Sequence, residues 1–171
     1  MSHYLETDRL LLTRSQESHW AFLLELVNSP KWIKNIGDRN VHTEDDARNY
    51  LKNKIIPNAD DAKSFGQLCI VRKSDNVVVG VTGLYQRDGL DHADIGFALL
   101  PEYEGMGYAY EATKKLLDHV IQQKVLNRIE GITLPSNIAS QGLLEKLGLQ
   151  YERMVRIPND EEELMLYATE F

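Results

Sequence analysis

A lone cysteine, Cys69, among 171 residues leaves no internal disulfide and no cysteine-based metal cluster to brace the chain. Its setting, Gln67-Leu-Cys-Ile-Val71, is a strand-like apolar run in which a small buried thiol is expected rather than a nucleophile. The five histidines are scattered, and none recurs with a second ligand in a zinc-like arrangement, so metal catalysis has no support. No apolar run approaches the roughly 20 residues that cross a bilayer. The first residues lack the basic flank, apolar core and small-residue cleavage site of a secretory leader, and a cytoplasmic location is expected. Positive charge is also scarce: 19 Lys and Arg face 26 Asp and Glu, a net charge of −7. That balance repels nucleic-acid phosphates and favours a cationic partner such as a protonated amine, although it serves solubility equally well. Repeats, low-complexity tracts and linkers are missing too. The chain therefore reads as one domain over residues 1–171, long enough to bury a core without metal or disulfide support.

What is present is a glycine-bearing turn, Pro101-Glu-Tyr-Glu-Gly-Met-Gly-Tyr-Ala-Tyr-Glu-Ala112, leading from a strand-like run into an amphipathic helix. Gly105 and Gly107 lack a Cβ, so the backbone can take positive φ and approach an anion closely. The first N–H groups of the helix behind them have no intrahelical partners, and its dipole is positive at that end. Upstream, Ile95, Phe97 and Leu99 alternate with Asp94, Gly96 and Ala98, giving one bulky strand face and one of small side chains plus a carboxylate. That flat face suits a slender ligand. Downstream, Ala109, Ala112, Leu116, Val120 and Ile121 recur at helical spacing, with Glu111 and Lys115 as a supporting i,i+4 pair. The turn is more compact than the dinucleotide fingerprint and lacks the Lys-Ser or Lys-Thr of a P-loop.

The stretch 104–109 resembles the acetyl-CoA loop of the GNAT superfamily of N-acetyltransferases, Gln/Arg-x-x-Gly-x-Gly/Ala, except that Glu104 is acidic where the pattern has Gln or Arg. A second segment is similar to the superfamily's Asn-x-x-Ser/Ala helix ending in Glu-Lys-Leu-Gly-Phe: Asn137-Ile-Ala-Ser140, then Glu145-Lys-Leu-Gly148-Leu149. The opening Leu5-Glu-Thr-Asp-Arg9-Leu-Leu-Leu-Thr-Arg14 is similar to that of the Rim-type (RimJ/RimL-like) branch, whose members acetylate ribosomal-protein N termini, other amines and some antibiotics.

Periodicity alone gives strands at 9–13, 65–72, 77–85, 93–100, 128–134, 151–157 and 164–169, and helices from Trp20 to before Pro30, from near Thr43 to Pro57, after Gly107, and over 139–147. The fold class is α/β (α+β): a mixed, mostly antiparallel twisted sheet of about seven strands flanked by about four helices, matching the GNAT arrangement.

The resemblance implies acetyl-CoA as co-substrate, with no metal. The backbone of Phe97, Ala98 and Leu99 would bond the pantetheine arm, and that of Glu104, Gly105, Met106, Gly107, Tyr108 and Ala109 the pyrophosphate. Asn137 and Ser140 would also lie against the cofactor. An ammonium has no lone pair, so a base must deprotonate the acceptor amine. Asp94 is the candidate, matching an acidic position often seen in this strand of Rim-type members. Its alternative is a solvent-facing or turn-bonded Asp, with Asp160 or Glu161 on the last hairpin as rival bases. Ser140 is the candidate proton donor to the departing thiolate, or else only orients the cofactor or caps its helix. No activated nucleophile with an adjacent base is present, so direct attack in a ternary complex is expected. The acceptor could be a protein or peptide N terminus, a polyamine or an aminoglycoside, and a homodimer is common among such proteins. A different class also fits: a catalytically weak CoA-binding module for sensing or assembly.

Overall fold

The computed structural model describes residues 3–57 and 66–171. Alternating apolar residues make most of the sheet. Leu10 and Leu12 on β2 (Leu10–Arg14), Leu68 and Ile70 on β3 (Gly66–Arg72), Leu84 on β4 (Val77–Tyr85) and Ile95 on β5 (Asp94–Leu99) turn to one face. There they meet Ala112, Leu116 and Val120 of α4 (Tyr108–Gln123) in a single buried cluster. Each fully buried Leu or Ile contributes about 1.5–3 kcal/mol, so this face dominates the stability of the fold. A short edge strand, β1 (His3–Glu6), precedes β2.

The remaining strands are β6 (Arg128–Thr133), β7 (Gln150–Val155) and β8 (Leu164–Glu170). The sheet order is β1-β2-β3-β4-β5-β6-β8-β7, antiparallel throughout except for the parallel neighbours β5 and β6, which α4 connects. α5 (Ile138–Lys146) lies between β6 and β7 and ends at Gly148, whose φ of +99° and the Leu149 N–H to Leu144 carbonyl bond of 3.0 Å close the helix. Against the opposite face stand α1 (Trp20–Val27), α2 (Pro30–Asn35) and α3 (Glu44–Tyr50): Leu23 and Val27 of α1 and Ala47 of α3 form a second cluster with Val41, Leu51 and Ile55, and Trp32 of α2 packs against it. Leu26 joins that layer to the sheet through Val81 and Leu100.

The described residues hold eight strands and five α-helices, one more of each than the periodicity predicts. The extra strand, β1, is too short for its alternation to register. The extra helix starts at Pro30: the residue that stops α1 has its φ set for the first helical position, so it opens α2 at once. Thr43 caps α3 as expected, its hydroxyl accepting the Asp46 N–H at 3.1 Å while the Asp46 carboxylate accepts the Thr43 N–H at 3.2 Å. The helical run then widens into a π-turn at Leu51–Ile55. The first residue of the predicted strand 65–72 lies outside the described residues.

Candidate active site

β4 and β5 pair in continuous register from Gly80↔Leu99 to Tyr85↔Asp94, whereas β5 and β6 share one register pair, Asp94↔Glu130. The Glu130 N–H donates to the Ala93 carbonyl at 2.9 Å, and beyond that point no ladder pairing between these strands is present among the described residues. The sheet thus splits into a V that opens toward the C-terminal ends of both strands. Phe97, Ala98 and Leu99 lie on one arm of it. Because α4 follows β5 and α5 follows β6, two helix N-termini stand at the open end, where backbone N–H groups and dipoles favour an anion.

The turn into α4 has the expected conformation. Gly105 and Gly107 hold φ of +79° and +82°, a region that costs other L-residues about 1–2 kcal/mol. A Cβ at Gly105 would meet nothing within 4 Å, so the outer side of the loop is open. Gly107 is the N-cap of α4 and no side chain caps the helix, which leaves its first-turn donors directed outward. The carboxylate of Glu104 is turned away, ion-paired with Lys31 of α2. Cations crowd the same end of the sheet: Arg9 lies 4.6 Å from the Tyr108 ring centroid and Arg72 5.0 Å from that of Tyr103. Glu111 does not pair with Lys115; it accepts from the Arg9 guanidinium at 2.7 Å and the Thr7 hydroxyl at 2.6 Å, tying α4 to the turn before β2. These backbone donors and flanking cations fit a diphosphate without help from the side chain at 104.

On the opposite face the expected empty slot is filled. Tyr85 folds its ring back over Gly83 and Gly96: a Cβ on Gly96 would lie 3.0 Å from Tyr85 Cε2, and one on Gly83 2.7 Å from its hydroxyl oxygen. The small residues make room for this ring, which lies over the strand face that carries Asp94. Asp94 lies at that vertex. It is 1% exposed, so it is not the solvent-facing aspartate that remained open from sequence. Arg87 Nε stands 3.3 Å from both of its carboxylate oxygens. Burial pushes the Asp94 carboxyl above the ordinary carboxylate range, against the pull of Arg87. Asp160 and Glu161 are exposed in the last hairpin, where Asp160 accepts the Glu162 N–H at 3.0 Å and the Glu161 carbonyl accepts from Arg156 at 2.8 Å. That hairpin touches the vertex side of the sheet: a Cβ at Gly89, between β4 and β5, would fall 2.6 Å from Pro158.

Comparison with known proteins agrees with this geometry. The profile of the acetyltransferase (GNAT) domain matches residues 9–150. The chain belongs to the GNAT family of acetyltransferases. An N-acetyltransferase of Bacillus subtilis, YnaD, is 28% identical over 150 residues, covering 87% of this chain and 84% of that protein. The crystal structure of a GNAT acetyltransferase from Bacillus anthracis superposes with a TM-score of 0.79 at 27% identity, over 97% of each chain. The Salmonella typhimurium enzyme that modifies the N-terminal serine of a 50S ribosomal subunit protein superposes at 0.79 with 19% identity, over 96% of each chain, a likeness of fold.

In this GNAT enzyme the second motif is built as a helix start. Asn137 is the N-cap of α5, its side-chain oxygen accepting the Ser140 N–H at 3.2 Å. The Ser140 hydroxyl has no hydrogen-bond partner among the described residues and is half-buried. Cys69 is buried beside Ser15 (3.6 Å) and His19 (3.5 Å), a constellation that imitates a catalytic one. His19 Nδ1 accepts the Gln16 N–H at 2.9 Å, and burial lowers the His19 pKa while pushing the thiol up to about 11. Cys69 is the inert core thiol expected of its strand. Two clefts, of about 540 Å³ beside Gln86, His92, Ala93 and Arg128 and about 390 Å³ beside Trp20, Leu24 and His42, lie away from the open end of the V.

Sequence reasoning missed Arg87 and Glu130 at the vertex and assigned Tyr85 no role in the site. A signal existed for Glu130. Arg128 and Glu130 are charged at alternate positions of an otherwise apolar strand, a placement that demands buried partners.

Proposed function

We propose that the chain transfers the acetyl group of acetyl-CoA to a primary amine by direct attack in a ternary complex. The observation that carries this reading is the split between β5 and β6 beyond Asp94, with two helix N-termini at its open end. Acetyl-CoA supplies an electrophilic thioester. Main-chain N–H groups of residues 105–109 hold its diphosphate, and the unpaired edge at Phe97, Ala98 and Leu99 accepts the pantetheine arm and aims it at the vertex. The acceptor enters from the Tyr85 side as an ammonium, which suits a chain of net charge −7 and an aromatic ring. Asp94 takes one proton and exposes the nitrogen lone pair. As the carbon–nitrogen bond forms and the carbon–sulfur bond breaks, the electron pair leaves on sulfur. The Ser140 hydroxyl hands a proton to that thiolate and is itself reprotonated by the second proton lost from nitrogen. The acceptor is the N terminus of a peptide or protein, or a small amine. The Rim-like fold of the Salmonella ribosomal-protein enzyme favours the former.

Coenzyme A release, followed with a thiol reagent across peptides, polyamines and aminoglycosides, tests this directly. Saturable turnover with an amine, and none with its N-acetylated counterpart, is the expected result. Thermal stabilisation by acetyl-CoA without turnover, together with no effect of Asp94→Asn or Ser140→Ala, would establish a CoA-sensing module instead.

A further inference from the structure

Glu130 is a second buried acid at the vertex, and the chemistry above gives it no task. Asp94 and Glu130, 1% and 2% exposed, are the only carboxyl side chains in the buried set among the described residues. They are also the single register pair between β5 and β6, so both side chains leave the sheet on the same face. Glu130 Oε1 accepts from Arg128 Nε at 3.1 Å, while Oε2 is buried with no hydrogen-bond partner. An unpartnered carboxylate oxygen in such a setting is costly unless a proton or a ligand meets it.

The charges around the pair do not balance. Arg87 serves Asp94, but Arg128 is divided among Glu130, Glu152 and Glu170. Two guanidiniums therefore face four carboxylates, two charges too many if all are ionised. Glu152 and Glu170, with side chains 40% and 74% exposed, are solvated by water. Asp94 and Glu130 are not, and neighbouring carboxylates in a poorly solvated site ionise together only at high cost.

We propose that Asp94 and Glu130 form one two-carboxyl proton site, in which Glu130 is the positioning residue that makes Asp94 basic enough to deprotonate the acceptor ammonium. This rests on the acetyl-transfer reading. One N–H bond of the ammonium breaks, its electron pair stays on nitrogen, and the proton goes to the carboxylate pair, whose charge falls by one. The pair later releases that proton to solvent. Burial raises Asp94 and the charge of Glu130 adds to it, while Arg87 opposes both. The other groups facing the pair are Tyr85 from β4, with Tyr50 and Cys69 behind it, and Arg128, itself held by Glu152, which has His92 nearby.

Carboxyl ¹³C NMR of the free protein, wild type and Glu130→Gln, reads the site without any acceptor. Wild type is expected to titrate in two coupled steps, with the upper midpoint above the ordinary carboxylate range. Removing the negative neighbour favours ionised Asp94, so Glu130→Gln lowers its midpoint by about one pH unit or more. Glu130→Asp retains the upper step. With an active acceptor, the acid limb of kcat/KM in Glu130→Gln moves to lower pH by the same amount, and the plateau falls because the weaker base takes the proton less readily. An Asp94 midpoint that is the same in Glu130→Gln overturns the proposal. If that variant does not fold, independent single-step titrations in the wild type overturn it equally. Turnover with uncoupled carboxyls sinks the pair alone, whereas coupled carboxyls without turnover against any amine sink the transfer reading.

Discussion

In the proposed transfer, the open end of the β5–β6 V works through main chain and the closed end through buried side chains. The open end has Gly105 and Gly107 at positive φ and a helix start that no side chain caps, so the proposed cradle tolerates an acidic Glu104. The closed end depends on which side chains stand at 85, 87, 94 and 130 and on how completely water is kept from them. A diphosphate is gripped by any correctly bent backbone, but a proton is taken at neutral pH only by a carboxyl whose surroundings have shifted it.

Substitution at the two ends should therefore fail differently. Asp94→Asn is the most severe: kcat/KM for the amine is expected to fall by about 10²–10⁴, with acetyl-CoA binding retained in a thermal-shift assay. The fold itself gains little from ionised Asp94. Its folded pKa lies above the unfolded value, so its contribution to stability declines as pH rises from the ordinary carboxylate range through the raised one. Melting temperature near neutral pH should accordingly be no lower in Asp94→Asn than in wild type. A large loss of stability would recast Asp94 as a structural partner of Arg87. Gly107→Val, at the open end, reverses the pattern. Forcing a β-branched residue to φ +82° costs about 1–2 kcal/mol, and the acetyl-CoA thermal shift should largely disappear.

The same division explains what was legible in the sequence. The cradle could be read because glycine spacing, helical periodicity and strand alternation are local signals, and all three survive in the structure with boundaries moved by a residue or two. The helix carrying Ser140 was legible from its spacing and its likeness to the superfamily's second motif, although its cap is Asn137 and not Ser140. The vertex was not. Asp94 could be placed on a face by alternation, but its burial depends on Glu130, 36 positions away, and on Arg87 in a connection with no periodic pattern. Gly96 and Ala98 suggested a face open to a slender ligand, and only the fold reveals that the Tyr85 ring lies over Gly96.

A smaller effect tests that occupancy. Gly96→Ala puts a methyl 3.0 Å from Tyr85 Cε2, so the ring must shift by a few tenths of an ångström, with about 1 kcal/mol of stability lost to overpacking. Because the proposed acceptor enters from the Tyr85 side, KM for the amine should rise while the acetyl-CoA thermal shift stays at its wild-type value. If acetyl-CoA binding weakened equally, the small-residue face would belong to the cofactor after all.

The smallest expected effect is none. Cys69 has a serine and a histidine within 3.6 Å, as an activated thiol would, yet burial pushes it up to about 11, so its thiolate is about one part in 10⁴ at neutral pH. Its single exposed percent also denies access to a reagent. The folded protein should therefore give no colour with a thiol reagent at pH 7, and the full count of one thiol per chain only after denaturation. This silence matters for the comparison of the two ends, because every assay of transfer reads a new thiol. Rapid labelling of native Cys69 would reopen the case for a covalent acetyl carrier on the acceptor face and remove direct attack from the mechanism.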